Sequence, residues 1–239
     1  SGGAIVLCAE AALRSGAGLV DVATRELHVP VVLARRPEVM AHGIESGEDL
    51  EPLLSRAGAI GIGPGLGQGE WGKAMLRLAL ASQNPLVLDA DALNFLAAAP
   101  RVLTDAILTP HPGEAARLLG IDTAAVQADR FAAAAAIAVR YEAVTVLKGA
   151  GTVIAAPGQL PCVISAGNPG MAVGGMGDVL TGVILALRAQ GLSAFDAACA
   201  GALLHSLAGD AAAGDGERGL LPSDLFPHLR RLANPGDLE

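Results

Sequence analysis

The sequence predicts an α/β fold, a mostly parallel sheet with helices on both faces. Three observations predict it. Short, continuously apolar runs such as "AIGIG" (59–63), "PLVLDAD" (85–91) and "AILTP" (106–110) alternate with helical stretches, and strands apolar on both sides need cover on both sides. Hydrophobic residues make up 52% of the chain and charged residues 17%, so a large core is expected rather than disorder. The polar and glycine-rich segments follow the strands, where open α/β sheets bind their ligands.

The elements run as follows. "SGGAIVLCAEAALRSGAG" reads as a helix, with Ala4, Leu7, Ala11 and Ala12 on one face, Arg14 near its end and Gly16 or Gly18 as the stop. A parallel α/β fold normally places a strand ahead of such a helix. The chain is therefore expected to be part of something longer, lacking its first strand. "GLVDVAT" (18–24) is a strand. The strand at 59–63 leads to a helix over 70–82. The strand at 85–91 leads to a short helix from Ala92, and the strand at 106–110 to the helix of "GEAARLLG". One long alanine-rich helix is expected over 124–142. "AVTVLKG" (143–149) and "TVIAAP" (152–157) form a pair around Gly149–Gly151, and "LPCVIS" (160–165) adds a short strand. Their short connections predict antiparallel pairing. Helices over 176–190 and 194–213 follow, and "SDLFPHLRRL" closes the chain as a helix capped by Ser223. With no repeat or linker, residues 1–239 are expected to form a single domain.

Composition excludes several classes of function. The net charge is −8 with no basic run, which argues against nucleic acid or an anionic membrane as partner. Cys8, Cys162 and Cys199 are odd in number and lack metal or redox spacing, so buried thiols in a reducing, cytoplasmic setting are expected. No apolar stretch is long enough to span a bilayer, and no secretory signal is visible. Aromatics are only 3%, so the core should be built from small side chains.

Five segments fall at strand ends and can converge on one cleft: "GPGLG" (63–67), Asp89 with Asp91, "PHPGE" (110–114), "KGAGT" (148–152) and "GNPGMAVGGMGDVLTG" (167–182). Each also has a plainer role. "GPGLG" suits a strand-to-helix turn, Asp91 a helix cap, and Lys148 a surface position. Asp89 would sit near a metal-bound phosphate. His111 and Glu114 fit a turn and a helix first turn as well as they fit a site. His28, His42, His205 and His228 have no evident partners. The last segment is harder to explain structurally. Gly174, Gly175 and Gly177 leave backbone N–H groups unshielded just before a helix start, and such a terminus attracts phosphate. Asp178 beside a phosphate would repel it unless a cation intervenes or the acid takes a proton. That arrangement suits phosphoryl transfer, with donors holding the developing charge and the acid activating a hydroxyl.

"GGMGD" before an apolar helix resembles the GxGD anion-hole motif of the ribokinase-like fold. Together with "VLKGAGTVIA", "LDADALN", "LTPHPGEAARLLG", "AALRSGAGLV" and "GIGPGLG", it resembles one family within that fold, the ADP- or ATP-dependent NAD(P)H-hydrate (NAD(P)HX) dehydratases. The similarity covers nearly the whole chain in order. It implies a three-layer ribokinase-like domain that dehydrates damaged, hydrated NADH and NADPH, with a nucleotide phosphorylating the added hydroxyl before elimination. It implies Asp178 as general base and substrate contact, and Gly174, Gly175 and Gly177 with Lys148, Gly149, Ala150, Gly151 and Thr152 around ADP or ATP. Ala4, Gly65 and His111 would meet the hydrated dinucleotide, and Glu114 would organise Mg²⁺ through water. It also implies a homo-oligomer, a tetramer, and fusion to an upstream epimerase domain. Val173 departs from the family's threonine. Two other readings stand beside it. One is a small-molecule kinase of the same fold, for a thiazole or a sugar. The other is a dinucleotide-binding oxidoreductase, since "GQGEWG" (67–72) satisfies GxGxxG with Asp89 about 20 residues on.

Overall fold

In the computed structural model, which describes residues 2–234, the apolar runs become the strands of a six-stranded sheet. They are β3 (Ile60–Ile62), β4 (Leu86–Leu88), β5 (Ala106–Leu108), β6 (Val144–Leu147), β7 (Thr152–Ala155) and β8 (Cys162–Ile164), in that spatial order. β3 to β6 pair in parallel. β6–β7 and β7–β8 are antiparallel, as their short connections require. A second sheet was not foreseen. Among the described residues, β1 (Asp21–Thr24) pairs only with β2 (Met40–Gly43), in parallel, rather than joining the main sheet. An apolar cavity of about 390 Å³ lies between β1 and β3, lined by Val20, Val22, Ile60, Ile62 and Leu185.

The helices are α1 (Gly2–Arg14), α2 (Val29–Arg35), α3 (Gly47–Arg56), α4 (Glu70–Ala81), α5 (Ala90–Ala98), α6 (Pro112–Leu119), α7 (Thr123–Ala128), α8 (Arg130–Tyr141), α9 (Met176–Ala189), α10 (Ala194–Ala212) and α11 (Leu225–Leu232). Alternate strand residues divide the core. Leu86, Leu88, Leu108 and Leu147 face α5, α6 and α8 through Leu93, Leu96, Ala115 and Ile137. Val87, Ile107, Val146 and Ile154 face α9 and α10 through Leu180, Ile184, Ala197 and Ala202. This is the three-layer arrangement that continuously apolar strands demand. Small side chains allow close approach: α1 crosses α9 at Gly182, where a Cβ would lie 2.1 Å from the Cys8 carbonyl oxygen.

Four expectations need correction. The stretch 124–142 is two helices, because Asp129 leaves the helical conformation and its side chain accepts from Ala132 N–H to cap α8. The helix after β4 starts at Ala90, two residues early, so Asp91 lies inside it and does not cap it. Ser223 lies within a 3₁₀ turn, and Asp224 instead accepts from Leu221 N–H at 2.8 Å. Residues 25–58 carry no clear strand or helix signal, yet α2, β2 and α3 lie there. Pro30 near the start of α2 and Pro52 inside α3 obscure their periodicity. One side chain left without a partner also finds one: His42 pairs with Asp21 at 2.6 Å. Among the described residues, no helix is long and apolar enough to cross a membrane.

Candidate active site

The carboxyl ends of β4, β5 and β6 converge with the start of α9. Asp89 follows β4 directly and is almost fully buried. Its carboxylate accepts from Lys148 Nζ at 2.8 Å and from Thr181 Oγ1 at 3.0 Å. Lys148 follows β6 directly, and its ammonium lies 3.8 Å from Glu114 of α6. A Cβ on Gly177 would lie 3.1 Å from Lys148 Nζ and 3.6 Å from Asp89 Oδ2, so the part-buried pair sits directly beneath the first turn of α9. Burial opposes the Lys148 charge, but Asp89 and Glu114 prevail and its pKa is raised. Asp89 is thus held by Lys148 and Thr181 at the carboxyl end of the sheet. Lys148 is likewise committed to an ion pair rather than lying on the surface.

α9 begins without a side-chain cap. Gly175 occupies the N-cap position at φ +99°, and a Cβ there would come within 2.8 Å of Leu7 Cδ1 and 3.0 Å of Pro222 Cγ. Only glycine fits this left-handed, crowded position. An uncapped first turn presents its N–H groups to another acceptor. Asp178, in that turn, is half-buried. Burial and then the charge of Asp89 push its pKa up to about 6, with Lys148 pulling the other way. A carboxylate of that basicity can accept a proton near neutral pH.

His111 and Glu114 have a firm structural role. Glu114 Oε2 accepts from His111 N–H at 2.8 Å, and His111 Nδ1 accepts from Gly113 N–H at 3.0 Å, a reciprocal box that starts α6. With Nδ1 accepting, the proton is assigned to Nε2, which lies 3.5 Å from Glu114 Oε1. The His111 side chain remains half exposed. The "GPGLG" turn is held from α5, where Asp91 accepts from Gly67 N–H at 2.8 Å and from Gln68 Nε2 at 3.3 Å. Gly63 must be glycine, since a Cβ would strike the Asp89 carbonyl oxygen at 1.7 Å. Gly65, at φ +67°, borders the apolar cavity. Ala4 lies on α1 one turn before Leu7, the residue that abuts Gly175.

Arg130 was missed in the sequence. From α8 it donates to the carbonyls of Leu147 and Ala150 and so ties down the Gly149–Gly151 turn. Thr152 Oγ1 donates to Gly149 O at 3.1 Å. An arginine at the start of a helix carries no signal of what it will reach twenty residues later. Among the described residues, no cluster of three or more His, Cys, Asp or Glu could hold a metal.

A family model described as NAD(P)H-hydrate dehydratase matches residues 1–231. The bifunctional NAD(P)H-hydrate repair enzyme Nnr of Coxiella burnetii is 56% identical over 98% of this chain and 48% of its own length. The chain thus spans about half the length of such bifunctional relatives. The ADP-dependent (S)-NAD(P)H-hydrate dehydratase of Neisseria meningitidis is 42% identical over 97% of this chain and 81% of its own. Among solved structures, the ADP/ATP-dependent NAD(P)H-hydrate dehydratase of Bacillus subtilis, co-crystallised with ATP/Mg²⁺, is 32% identical with a TM-score of 0.84, covering 97% of this chain and 84% of that one. A ribokinase-like superfamily protein of Enterococcus faecalis superposes with a TM-score of 0.89 at 32% identity, over 97% of this chain and 82% of that one. The fold is ribokinase-like.

Proposed function

The chain belongs to the NAD(P)H-hydrate dehydratase family, and we propose that it removes water from hydrated NADH and NADPH at the expense of ADP or ATP. The observation that carries the proposal is Asp178, a carboxylate with its pKa pushed up to about 6, on the uncapped first turn of α9.

In this reading Asp178 takes the proton from the hydroxyl of the hydrated ring. The hydroxyl oxygen then attacks the terminal phosphorus of the nucleotide, and the bond to the bridging oxygen breaks. Backbone N–H groups around Gly174, Gly175 and Gly177 hold the developing negative charge. The lone pair of the ring nitrogen breaks the ring carbon–oxygen bond of the new ester and expels inorganic phosphate, and loss of a proton from the adjacent ring carbon restores the dihydronicotinamide. Lys148 to Thr152 line the adenine nucleotide, held in shape by Arg130. Ala4, Gly65 and His111 meet the dinucleotide substrate.

Asp89, Glu114 and Asp178 outnumber Lys148 in formal charge, which leaves a deficit of positive charge where a polyphosphate would sit. A Mg²⁺ ion would neutralise phosphate charge there. The residues fit an ion that arrives with the nucleotide and keeps most of its waters. In this reading Glu114 would reach the ion through water.

The kinase alternative would share Asp178 but release a phosphorylated product. The oxidoreductase alternative needs Gly67–Gly72 to cradle a pyrophosphate, yet Gly67 N–H already donates to Asp91. The test is product analysis with hydrated NADH, either nucleotide and Mg²⁺. Recovery of NADH with release of inorganic phosphate supports dehydration, whereas a stable phosphorylated compound supports the kinase.

A further inference from the structure

The segment that delivers the first turn of α9 runs along α10 before it gets there. We propose that Asp210 of α10 is a positioning residue for this glycine loop, acting through Asn168; the proposal rests on the loop being the phosphate-binding segment of the reaction above.

Asp210 reaches the start of the loop with both carboxylate oxygens. Oδ2 accepts from Gly167 N–H at 2.9 Å, and Oδ1 accepts from Asn168 Nδ2 at 3.0 Å. Both bonds go to an ionised acceptor, the stronger kind of hydrogen bond. An ionised carboxylate can only accept, so it forces the amide nitrogen of Asn168 to face it. Nothing on the far side of that amide does the same, because Asn168 Oδ1 is buried with no partner among the described residues. Asp210 therefore sets both the backbone and the side chain at the point where the loop leaves β8.

Beyond that anchor the loop is held by close packing. Met171 lies against α10 where Gly209 makes room, since a Cβ on Gly209 would come within 2.3 Å of Met171 Sδ. Gly170 passes close to the Glu217 carbonyl, with 2.3 Å left for a Cβ. These contacts limit how near the loop can come, but they do not orient it. From Ala172 to Gly174 the loop is exposed, and the N–H groups at Gly174–Gly177 follow directly. An error set at Gly167–Asn168 is carried to those donors. Asp210 is itself exposed and lies near the end of α10, so its removal leaves the core untouched.

The experiment uses the full chain with three variants: Asp210→Asn, Asn168→Asp and the two combined. Asp210→Asn loses one acceptor, and Asn168→Asp sets two carboxylates against each other. In the double variant the amide of residue 210 can donate to the carboxylate of residue 168 and still accept from Gly167 N–H. Each single variant is expected to lower kcat by ~10–100-fold, the scale of an ångström-sized misplacement, with little change in the KM for hydrated NADH or in Tm. The exchanged pair should recover most of the loss. Hydrogen exchange of the 167–177 amides, read without nucleotide, should be faster in both single variants and return in the double. Unchanged kcat, a loss that follows Tm, or a double variant no better than the singles would overturn the assignment. Wild-type protein that repairs no hydrated NADH would overturn the functional reading instead, and unchanged loop exchange in Asp210→Asn would still overturn the clamp.

Discussion

Asp178 bears the chemistry of the account, and its environment gives two predictions with different readouts. Its carboxyl pKa is raised from 3.8 to about 6 by burial and by Asp89. A raised acid pKa means that the fold disfavours the ionised form. The wild-type protein should therefore lose stability from this group as pH rises from about 4 to above 6. Asp178→Asn removes that loss. Its Tm should match wild type at pH 4 and exceed it at pH 8, and equal Tm values at both pH values would contradict the burial argument. The same variant should lose about 10²–10⁴ in turnover, the usual contribution of a general base. Arg130→Ala tests a second residue. It frees the carbonyls of Leu147 and Ala150 and should weaken nucleotide affinity measured by titration calorimetry while leaving hydrated NADH affinity unchanged. Equal loss for both ligands would mean general loosening. The helix start that carries Asp178 was legible in the sequence because glycines before an apolar helix carry local signals. Arg130 and Asp210 were not, because each acts on a segment 17 or more residues away.

At the scale of elements, the strands that shape the cleft were readable from continuous apolar runs, and their antiparallel end from short connections. The helices were less so where sequence and packing disagree. An alanine-rich stretch has high helix propensity throughout, yet Asp129 interrupts it because its side chain caps the next helix better than it continues the last. Asp129→Ala should cost about 0.5–2 kcal/mol by chemical denaturation, as for other lost caps. A neutral or stabilising result would favour one continuous helix. α1 and α9 are fixed by contact rather than propensity. Gly182→Ala places a methyl 2.1 Å from the Cys8 carbonyl and 2.8 Å from Ala11 Cβ, where overpacking costs about 1–3 kcal/mol. Because α9 carries Asp178, part of that cost should also be seen as reduced turnover at temperatures below the melting transition.

For the molecule as a whole, ends of three strands and the start of one helix are brought to one place by the doubly covered sheet. The alternation of strands and helices predicts that convergence, but not the part-buried Asp89–Lys148 pair that links its members across 59 positions. Nor does it predict that β1 and β2 stand apart from the main sheet. A binding site assembled from several elements should also report on the stability of all of them. ADP or ATP at about a hundredfold excess over its Kd should raise unfolding stability by about 2.7 kcal/mol. The central claim is that this fold turns a nucleotide's phosphoryl group into the removal of water from a damaged dinucleotide, with Asp178 taking the proton. The most direct measurement follows the return of dihydronicotinamide absorbance from purified hydrated NADH with ADP or ATP and Mg²⁺, for wild type and Asp178→Asn side by side. The account predicts nucleotide-dependent recovery by wild type and at least about a hundredfold slower recovery by a folded, nucleotide-binding Asp178→Asn. Recovery at the wild-type rate by that variant, or recovery by wild type without any nucleotide, would contradict it.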